Sequence, residues 1–114
     1  KDEMITQNLP FVNKNETMKE VVLKMTESRL GLALIGNEEK LEGIITDGDL
    51  RRSLLMSDDF TKIEIKDILN KSPMTAYEND NLQVAHERMK EARLQSLVVR
   101  NNDEKIVGVI QIFK

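Results

Sequence analysis

The chain contains the same pattern of apolar residues twice, and this repeat limits the folds that are open to it. From Met18 and again from Leu82, the pattern recurs at positions i, i+3, i+4 and i+7, which form one face of an α-helix. Thr17 and Asn81 stand immediately before these positions, where a helix N-cap belongs. Because so small a unit cannot bury its own apolar face, we expect the two copies to pack against each other about a pseudo-twofold axis.

A β-hairpin is predicted after each helix, because two short apolar runs flank a polar turn there. The runs are residues 32–35 and 41–45 in the first copy and residues 97–99 and 106–110 in the second. Segments that contain Pro10 and Pro73 precede the helices, and proline favours an edge strand or a turn at such places. A further helix is predicted after Asp49 in the first copy.

The predicted fold class is α/β, in the α+β sense, with two β-α-β-β-α repeats whose small mixed sheets are flanked by helices. We place the first repeat and its linker at residues 1–62 and the second repeat at residues 63–114, truncated at its final helix. The segment 66–69 echoes residues 1–4 as the lead-in to its copy. Because the chain begins at Lys1 and not at a methionine, we expect it to be part of a longer protein.

The composition argues against several classes of function. Seventeen Lys and Arg against twenty Asp and Glu give a net charge of -3, which is too small to attract any class of partner over long distances. No basic block is present and aromatic residues make up 4%, so we expect no nucleic-acid partner. No apolar run has the length of a membrane span, so no membrane partner is expected. Cysteine is absent, which excludes disulfides and thiolate metal sites and is compatible with the cytoplasm, where we place the protein.

The segment 43–52 carries the clearest chemical signal, because an apolar run ends there in a polar turn and passes into a charged, helix-like stretch. Ligand-handling groups of α/β proteins lie at such strand ends. The residues Thr46-x-x-Asp49 also form a capping-box pattern, which satisfies free N–H groups where a helix begins. A cap of this kind contributes about 0.5–2 kcal/mol. A phosphate can also bind at a helix start, so the residues alone leave capping and ligand binding both open.

The chain resembles a tandem pair of CBS (cystathionine-β-synthase) domains. The resemblance is carried by the repeat, by the lead-in at residues 67–73, and by Gly-Ile-Ile-Thr-Asp-Gly-Asp at residues 43–49, which is similar to the family's nucleotide-contact motif. The longer string Thr-Asp-Gly-Asp-Leu-Arg-Arg at residues 46–52 resembles the CBS pair at the C-terminus of bacterial arabinose 5-phosphate isomerases, which act in capsule and lipopolysaccharide sugar synthesis.

This resemblance implies a regulatory module that has no catalytic residues, no metal and no required cofactor. Such a module binds a small-molecule nucleotide in the cleft between its two copies. The candidate ligands are AMP, ATP or another adenosyl compound, or a CMP-sugar as a product of the pathway. The expected protein partners are an attached N-terminal sugar-isomerase domain and a second copy, which would form a homodimer through the CBS pairs.

The resemblance also implies which residues form the site. Asp49 takes the ribose hydroxyls and Thr46 a contact on the phosphate or ribose side, with Asp47 between them. Arg51 and Arg52 can offset the charge of a phosphate. The residues expected to sandwich the base are Pro10, Phe11, Val12, Gly31 and Leu32.

The second copy departs from this pattern at its strand end. Gln111 stands at the position of Thr46, and Lys114 stands at the position of Asp49. A lysine has no acceptor and cannot hold a ribose diol as an aspartate does. We therefore predict at most one well-formed nucleotide site per chain.

Two alternatives from other classes stay open. The first is a structural dimerisation module with a vestigial cleft. The second is a Mg²⁺-dependent phosphotransfer enzyme that uses the acid-x-acid pair Asp47 and Asp49. The single histidine, His86, and the methionines of the helices are interpreted as packing residues and not as functional ones; these methionines are Met18, Met25 and Met89.

Overall fold

The structure, a computed structural model, describes residues 3–59 and 62–111. The elements in chain order are β1 (Glu3–Ile5), β2 (Phe11–Val12), α1 (Met18–Ser28), β3 (Leu32–Gly36), β4 (Leu41–Thr46), α2 (Asp47–Ser53), α3 (Ile65–Ile68), β5 (Thr75–Tyr77), α4 (Leu82–Ala92), β6 (Ser96–Arg100) and β7 (Ile106–Gln111). Both predicted helices, both hairpins and both proline-marked strands are present, so the predicted mixed α/β class is confirmed.

The two long helices begin and end in the same way in both repeats. The Thr17 hydroxyl accepts a hydrogen bond from the Glu20 N–H at 3.3 Å, and the Asn81 side-chain oxygen accepts one from the Gln83 N–H at 2.8 Å. These side chains satisfy N–H groups that have no partner within the helix. At the other end, Arg29 and Arg93 occupy the C-cap with φ of 60° and 59°. This left-handed conformation is one that glycine usually supplies at a helix end.

The strands form one small mixed sheet for each repeat. The first sheet has the order β2-β3-β4 and the second has the order β1-β7-β6-β5. In each sheet the strand that precedes the long helix runs parallel to the strand that follows it, β2 with β3 and β5 with β6. Each hairpin pairs antiparallel, β3 with β4 and β6 with β7. The predicted β-α-β-β order therefore closes into a sheet within each copy.

The lead-in segments cross between the repeats. Strand β1 pairs with β7 of the second repeat, where Ile5 lies opposite Val109. In the other direction, Asn70 forms an isolated bridge with Ile44 of β4, with hydrogen bonds of 3.0 Å both ways. The two lead-ins are thus equivalent in position but not in form, because the second one contains the one-turn helix α3 where the first forms a strand. Lys1 and Asp2, which belong to the first lead-in, lie outside the described residues.

Two glycines make room for these crossings. A Cβ added to Gly108 would lie 2.7 Å from the Ile5 carbonyl oxygen and 2.8 Å from Met4 Cγ. At Gly43, it would lie 2.7 Å from Leu69 Cδ1 and would also meet the Asn70 carbonyl oxygen. All of these distances are shorter than real Cβ contacts. A residue without a side chain is therefore needed wherever the lead-in of the other repeat passes.

Three apolar clusters hold the chain together. One lies inside the second repeat and contains Met89. Another lies mainly in the first repeat, contains Met18 and Met25, and also takes in Ile63 and Ile65 from the start of the second. The burial of the three methionines confirms their predicted packing role. The third cluster joins the repeats: Leu30, Leu32, Leu34, Ile44, Val98, Ile106 and Val109. Burial of apolar residues from both copies in one cluster confirms that the repeats pack against each other.

Candidate functional site

The turn after β4 is a capping box, as the spacing predicts. The Thr46 hydroxyl accepts a hydrogen bond from the Asp49 N–H at 3.2 Å. In return, Asp49 Oδ2 accepts one from the Thr46 N–H at 2.9 Å. Because Thr46 is the N-cap, helix α2 begins at Asp47 and not after Asp49. The helix is present as expected, but it starts three residues earlier than a start after Asp49 would place it, since Asp49 caps the first turn from within it.

The two arginines of this segment behave differently. Arg52 Nη2 donates a hydrogen bond to Asp49 Oδ1 at 2.7 Å, which makes a close ion pair. The Asp49 side chain is 20% exposed and the Arg52 side chain 69% exposed. Arg51 is exposed and forms no ion pair with the residues that the structure describes. Only Arg52 is therefore held against the turn.

A cleft of ≈ 400 Å³ opens where the two repeats meet. Asp47 and Gly31 lie in its wall and contact each other, because the Asp47 N–H donates to the Gly31 carbonyl oxygen at 3.1 Å. Gly31 has a φ of +73°, and a Cβ built on it would lie 3.4 Å from Asp47 Oδ2. Its left-handed backbone therefore turns the chain into β3 beside the Asp47 carboxylate. The cleft volume lies in the range of small-molecule sites, about 300–1,000 Å³.

The second repeat completes the wall of this cleft with Gln95 and Gln111. Gln111 Nε2 donates to the Arg29 carbonyl oxygen at 3.5 Å, and the Ser96 hydroxyl donates to the Leu30 carbonyl oxygen at 2.9 Å. These bonds fix the end of α1 in the first repeat to β6 and β7 in the second. A molecule in the cleft would therefore touch both repeats.

The other predicted base-contact residues are not among those that line the cleft. Val12 and Leu32 are 3% and 2% exposed and belong to apolar clusters, and Pro10 is also buried. Phe11 is half-buried against the cluster between the repeats. The Pro10 carbonyl oxygen accepts a hydrogen bond from the Leu34 N–H at 2.8 Å, so this strand is fixed to β3. The apolar burial of these residues follows from their strand positions, and a contact with a base stays a prediction.

Sequence reasoning missed several cleft residues: Thr26, Arg29, Leu50, Gln95 and Gln111 as wall residues. Arg29 is the C-cap of α1 and has a left-handed backbone conformation. Glycine is the usual residue at such a position, so an arginine at the predicted end of the helix is the signal that points to it. Arg29 is exposed and forms no ion pair with any residue in the described ranges. The cleft therefore offers one free cation and one carboxylate, with amide groups opposite.

The remaining predictions about the site concern the second strand end and metals. Gln111 ends β7 as Thr46 ends β4, but Lys114 lies outside the described residues, so the single-site expectation stays a prediction. Among residues 3–59 and 62–111, no group of three or more His, Cys, Asp or Glu side chains is arranged to hold a metal ion. In the same ranges, no helix is both long enough and apolar enough to cross a bilayer.

Comparison with known sequences gives matches over nearly the whole chain. The sequence profile described as "CBS domain" matches residues 1–56 and 65–112. The "Probable arabinose 5-phosphate isomerase" of Haemophilus influenzae is 37% identical over 112 residues, which cover 97% of this chain and 33% of that protein. The "Arabinose 5-phosphate isomerase KpsF" of Escherichia coli is 30% identical over 97% of this chain and 34% of that protein. The chain thus spans about a third of the length of these curated relatives.

Comparison with solved structures gives the same fold. The CBS domain protein PAE2072 from Pyrobaculum aerophilum, whose structure was solved in complex with AMP, superposes with a TM-score of 0.79. It is 25% identical in sequence, and the match covers 90% of this chain and 79% of that protein.

Proposed function

The chain belongs to the CBS-domain family, and from this premise we propose that it is a regulatory module that senses an adenine nucleotide in the cleft between its repeats. The observation that carries the proposal is the position of the Thr46–Asp49 turn, which places Asp47 in the wall of a cleft that both repeats line. The CBS domain protein from Pyrobaculum aerophilum that was solved with AMP supports an adenosyl ligand. A CMP-sugar, which is expected from the pathway, is the alternative ligand, and the binding experiment must distinguish it from an adenine nucleotide.

The charges of the cleft suit a nucleotide. The Arg29 guanidinium can donate hydrogen bonds to a phosphate, since it has no anionic partner among the described residues. The Asp47 carboxylate in the cleft wall can accept hydrogen bonds from ribose hydroxyls, and so can the Asp49 carboxylate, which belongs to the same turn beside the wall. Gln95 and Gln111 present amide groups from the second repeat, which can both donate and accept. Each part of a nucleotide therefore has a chemically matched group at hand.

Regulation would follow from the position of the cleft across the repeat boundary. A ligand that contacts Asp47 on one side and Gln111 on the other changes the free energy of the packing between the repeats. The hydrogen bond from Gln111 to the Arg29 carbonyl oxygen, at 3.5 Å, is long and can shorten or break. The size of the response is limited by the difference in ligand affinity between the two packing arrangements.

We further propose that this module is the C-terminal regulatory region of a cytoplasmic arabinose 5-phosphate isomerase in capsule or lipopolysaccharide synthesis. The support is the identity to named isomerases, which extend well beyond the matched third. The module itself then carries no catalysis, and the isomerase domain is its attached partner. The division into repeats at 1–62 and 63–114 stays part of this proposal.

A structural dimerisation module is the second candidate function. Three consecutive side chains at the end of α2 support it, because Leu54, Leu55 and Met56 are 52%, 88% and 82% exposed. Contiguous exposed apolar side chains mark surfaces that other proteins cover. A homodimer through the CBS pairs is compatible with either function, so nucleotide binding is what separates the two.

The test is a thermal shift of the wild-type chain with AMP, ATP, S-adenosylmethionine and a CMP-sugar. A ligand at a hundredfold excess over its Kd stabilises the fold by about 2.7 kcal/mol, which raises the Tm by several degrees. Asp47→Ala should reduce this shift without disturbing the capping box. Asp58→Ala, which removes an exposed carboxylate outside the cleft, is the matched control and should retain the shift.

Three results would contradict the proposal or move it to another candidate. No shift with any of the four ligands, in a chain that light scattering finds to be dimeric, would favour the structural module. If Asp47→Ala and Asp58→Ala both retain the full Tm shift, the ligand does not bind in this cleft. Release of phosphate by the isolated chain that depends on Mg²⁺ and is lost in Asp47→Ala would favour the phosphotransfer enzyme.

A further inference from the structure

The turn whose Asp47 lines the cleft is also contacted by the Arg52 guanidinium. Its Nη2 is 2.7 Å from Asp49 Oδ1. A Cβ built on Gly48 would lie 3.2 Å from Arg52 Nη1, so the guanidinium also passes over Gly48. The glycine leaves the space that the folded-back arginine fills. Two neighbouring residues of the turn are thus covered by a side chain that comes from the last turn of α2.

The two oxygens of Asp49 are occupied in different ways. Oδ2 accepts the Thr46 N–H at 2.9 Å and belongs to the helix cap, so it cannot be released without uncapping α2. Oδ1 accepts the bond from Arg52, whose side chain is 69% exposed and is easily rehydrated. Exposed ion pairs of this kind are weak. Oδ1 is therefore the acceptor that an incoming hydroxyl can take.

We propose that Arg52 makes this site selective for phosphorylated nucleotides over nucleosides, an inference that rests on the proposed nucleotide-binding function. A nucleoside that takes Asp49 Oδ1 must displace Arg52 and offers the guanidinium nothing in return. A nucleotide carries a phosphate, which gives the displaced guanidinium a new anionic partner. The ion pair between Arg52 and Asp49 therefore opposes the binding of a neutral ligand. When the ligand is an anion, Arg52 exchanges its bond to Asp49 for a bond to the ligand phosphate.

Arg52→Met tests this by removing the charge and the donors while it keeps an unbranched side chain of similar helix propensity. Arg88→Met is the matched control, because Arg88 is an exposed arginine on helix α4 of the other repeat and forms no ion pair with Asp49. Isothermal titration calorimetry measures the affinities of the wild type and of both variants for AMP and for adenosine. The ratio of the two affinities in each variant is then compared with the ratio in the wild type. CMP and cytidine form a second pair of probes for the alternative base.

In Arg52→Met, adenosine should bind about two- to fivefold more tightly and AMP about two- to fivefold more weakly, as expected for exposed ion pairs. The ratio of AMP affinity to adenosine affinity then falls by roughly 4- to 25-fold, while Arg88→Met keeps the wild-type ratio. In the wild type, added salt should strengthen adenosine binding, because it screens the bond between Arg52 and Asp49. In Arg52→Met this salt effect should disappear.

The result distinguishes this inference from the proposed function. If the wild type binds AMP and Arg52→Met changes both affinities by the same factor, the selectivity role of Arg52 is overturned and nucleotide binding stands. The same conclusion follows if Arg88→Met lowers the ratio as far as Arg52→Met. Binding of adenosine by Arg52→Met alone would support the role of Arg52 most directly. If neither the wild type nor Arg52→Met binds any of the four probes, and the thermal-shift ligands give no shift either, the proposed function is refuted, and the inference falls with it.

Discussion

The crossing of strand β1 onto the second repeat can be tested by adding a single methyl group at Gly108. In Gly108→Ala, the new Cβ would lie 2.7 Å from the Ile5 carbonyl oxygen and 2.8 Å from Met4 Cγ. The first of these is a backbone atom, so the clash cannot be relieved by rotating a side chain. Strand β1 must move away from β7, with which it pairs over three residues.

The expected cost follows from this geometry. Inserting a methyl group into a well-packed site costs about 1–3 kcal/mol in the free energy of unfolding. At this chain length each kcal/mol corresponds to roughly 3–6 °C in Tm, between the values for smaller and larger domains. Gly108→Ala should therefore lower the Tm by roughly 3–18 °C. The cost should be concentrated in β1, whose amides should exchange with solvent faster than those of β6.

Urea denaturation and hydrogen exchange measured by mass spectrometry provide the assay. Gly48→Ala is the matched control, because the nearest atom to its added Cβ is the flexible end of Arg52 at 3.2 Å. Gly48 lies in helix α2, where alanine is preferred to glycine, so this variant should be neutral or slightly more stable. If Gly108→Ala unfolds at the same urea concentration as the wild type, β1 does not pack over Gly108 as described.

Two further predictions follow from the caps and from the surface of the second repeat. Thr46→Ala removes the N-cap of α2 and should lower the free energy of unfolding by about 0.5–2 kcal/mol. Urea denaturation measures this change. An unchanged urea midpoint would mean that the hydrogen bond from the Asp49 N–H to the Thr46 hydroxyl contributes nothing to stability. The Tyr77 hydroxyl donates a hydrogen bond to Glu104 Oε1 at 2.6 Å, which raises the pKa of Tyr77 because the bond favours the neutral phenol. In a spectrophotometric titration, Tyr77 should therefore ionise at higher pH than free tyrosine, and Glu104→Gln should move its midpoint back down; equal midpoints in the two proteins would contradict this.

The elements that sequence could predict are those specified by neighbouring residues. The stripe that contains Met18 and Met25 and the caps Thr17 and Asn81 act within one or two helical turns, so α1 and α4 are present where the pattern places them. The hairpins are equally local. Helix α3 was missed because it has four residues and lies in a polar stretch. Its signal was the spacing from Glu64 to Asp67, where the Asp67 side chain accepts a hydrogen bond from the Glu64 N–H at 3.0 Å.

The features that sequence could not predict depend on contacts between distant residues. The pairing of Ile5 with Val109 joins the two ends of the described chain, and no local pattern records it. The cleft wall is of the same kind, since Arg29, Gln95 and Gln111 meet only when the repeats pack. Polar residues at strand ends have no period that would reveal them. Gly43 and Gly108, which occupy equivalent positions in the two repeats, were the indirect sequence signal for these crossings. At both positions the backbone of the other repeat's lead-in comes close.

The capping role and the ligand role of the turn are compatible because a carboxylate has two oxygens. The cap uses Asp49 Oδ2, and the ion pair uses Asp49 Oδ1, so the aspartate that helps to cap helix α2 also keeps one acceptor outside the cap. Thr46 and Asp49 would therefore remain a stabilising pair even in a chain that bound nothing. What distinguishes a binding turn is the set of groups around it. These are the Asp47 carboxylate in the cleft wall, Arg29 in the same wall with no ion pair among the described residues, and Arg52, which can exchange one anion for another. These three groups, and not the capping box, are where substitutions should separate ligand binding from stability.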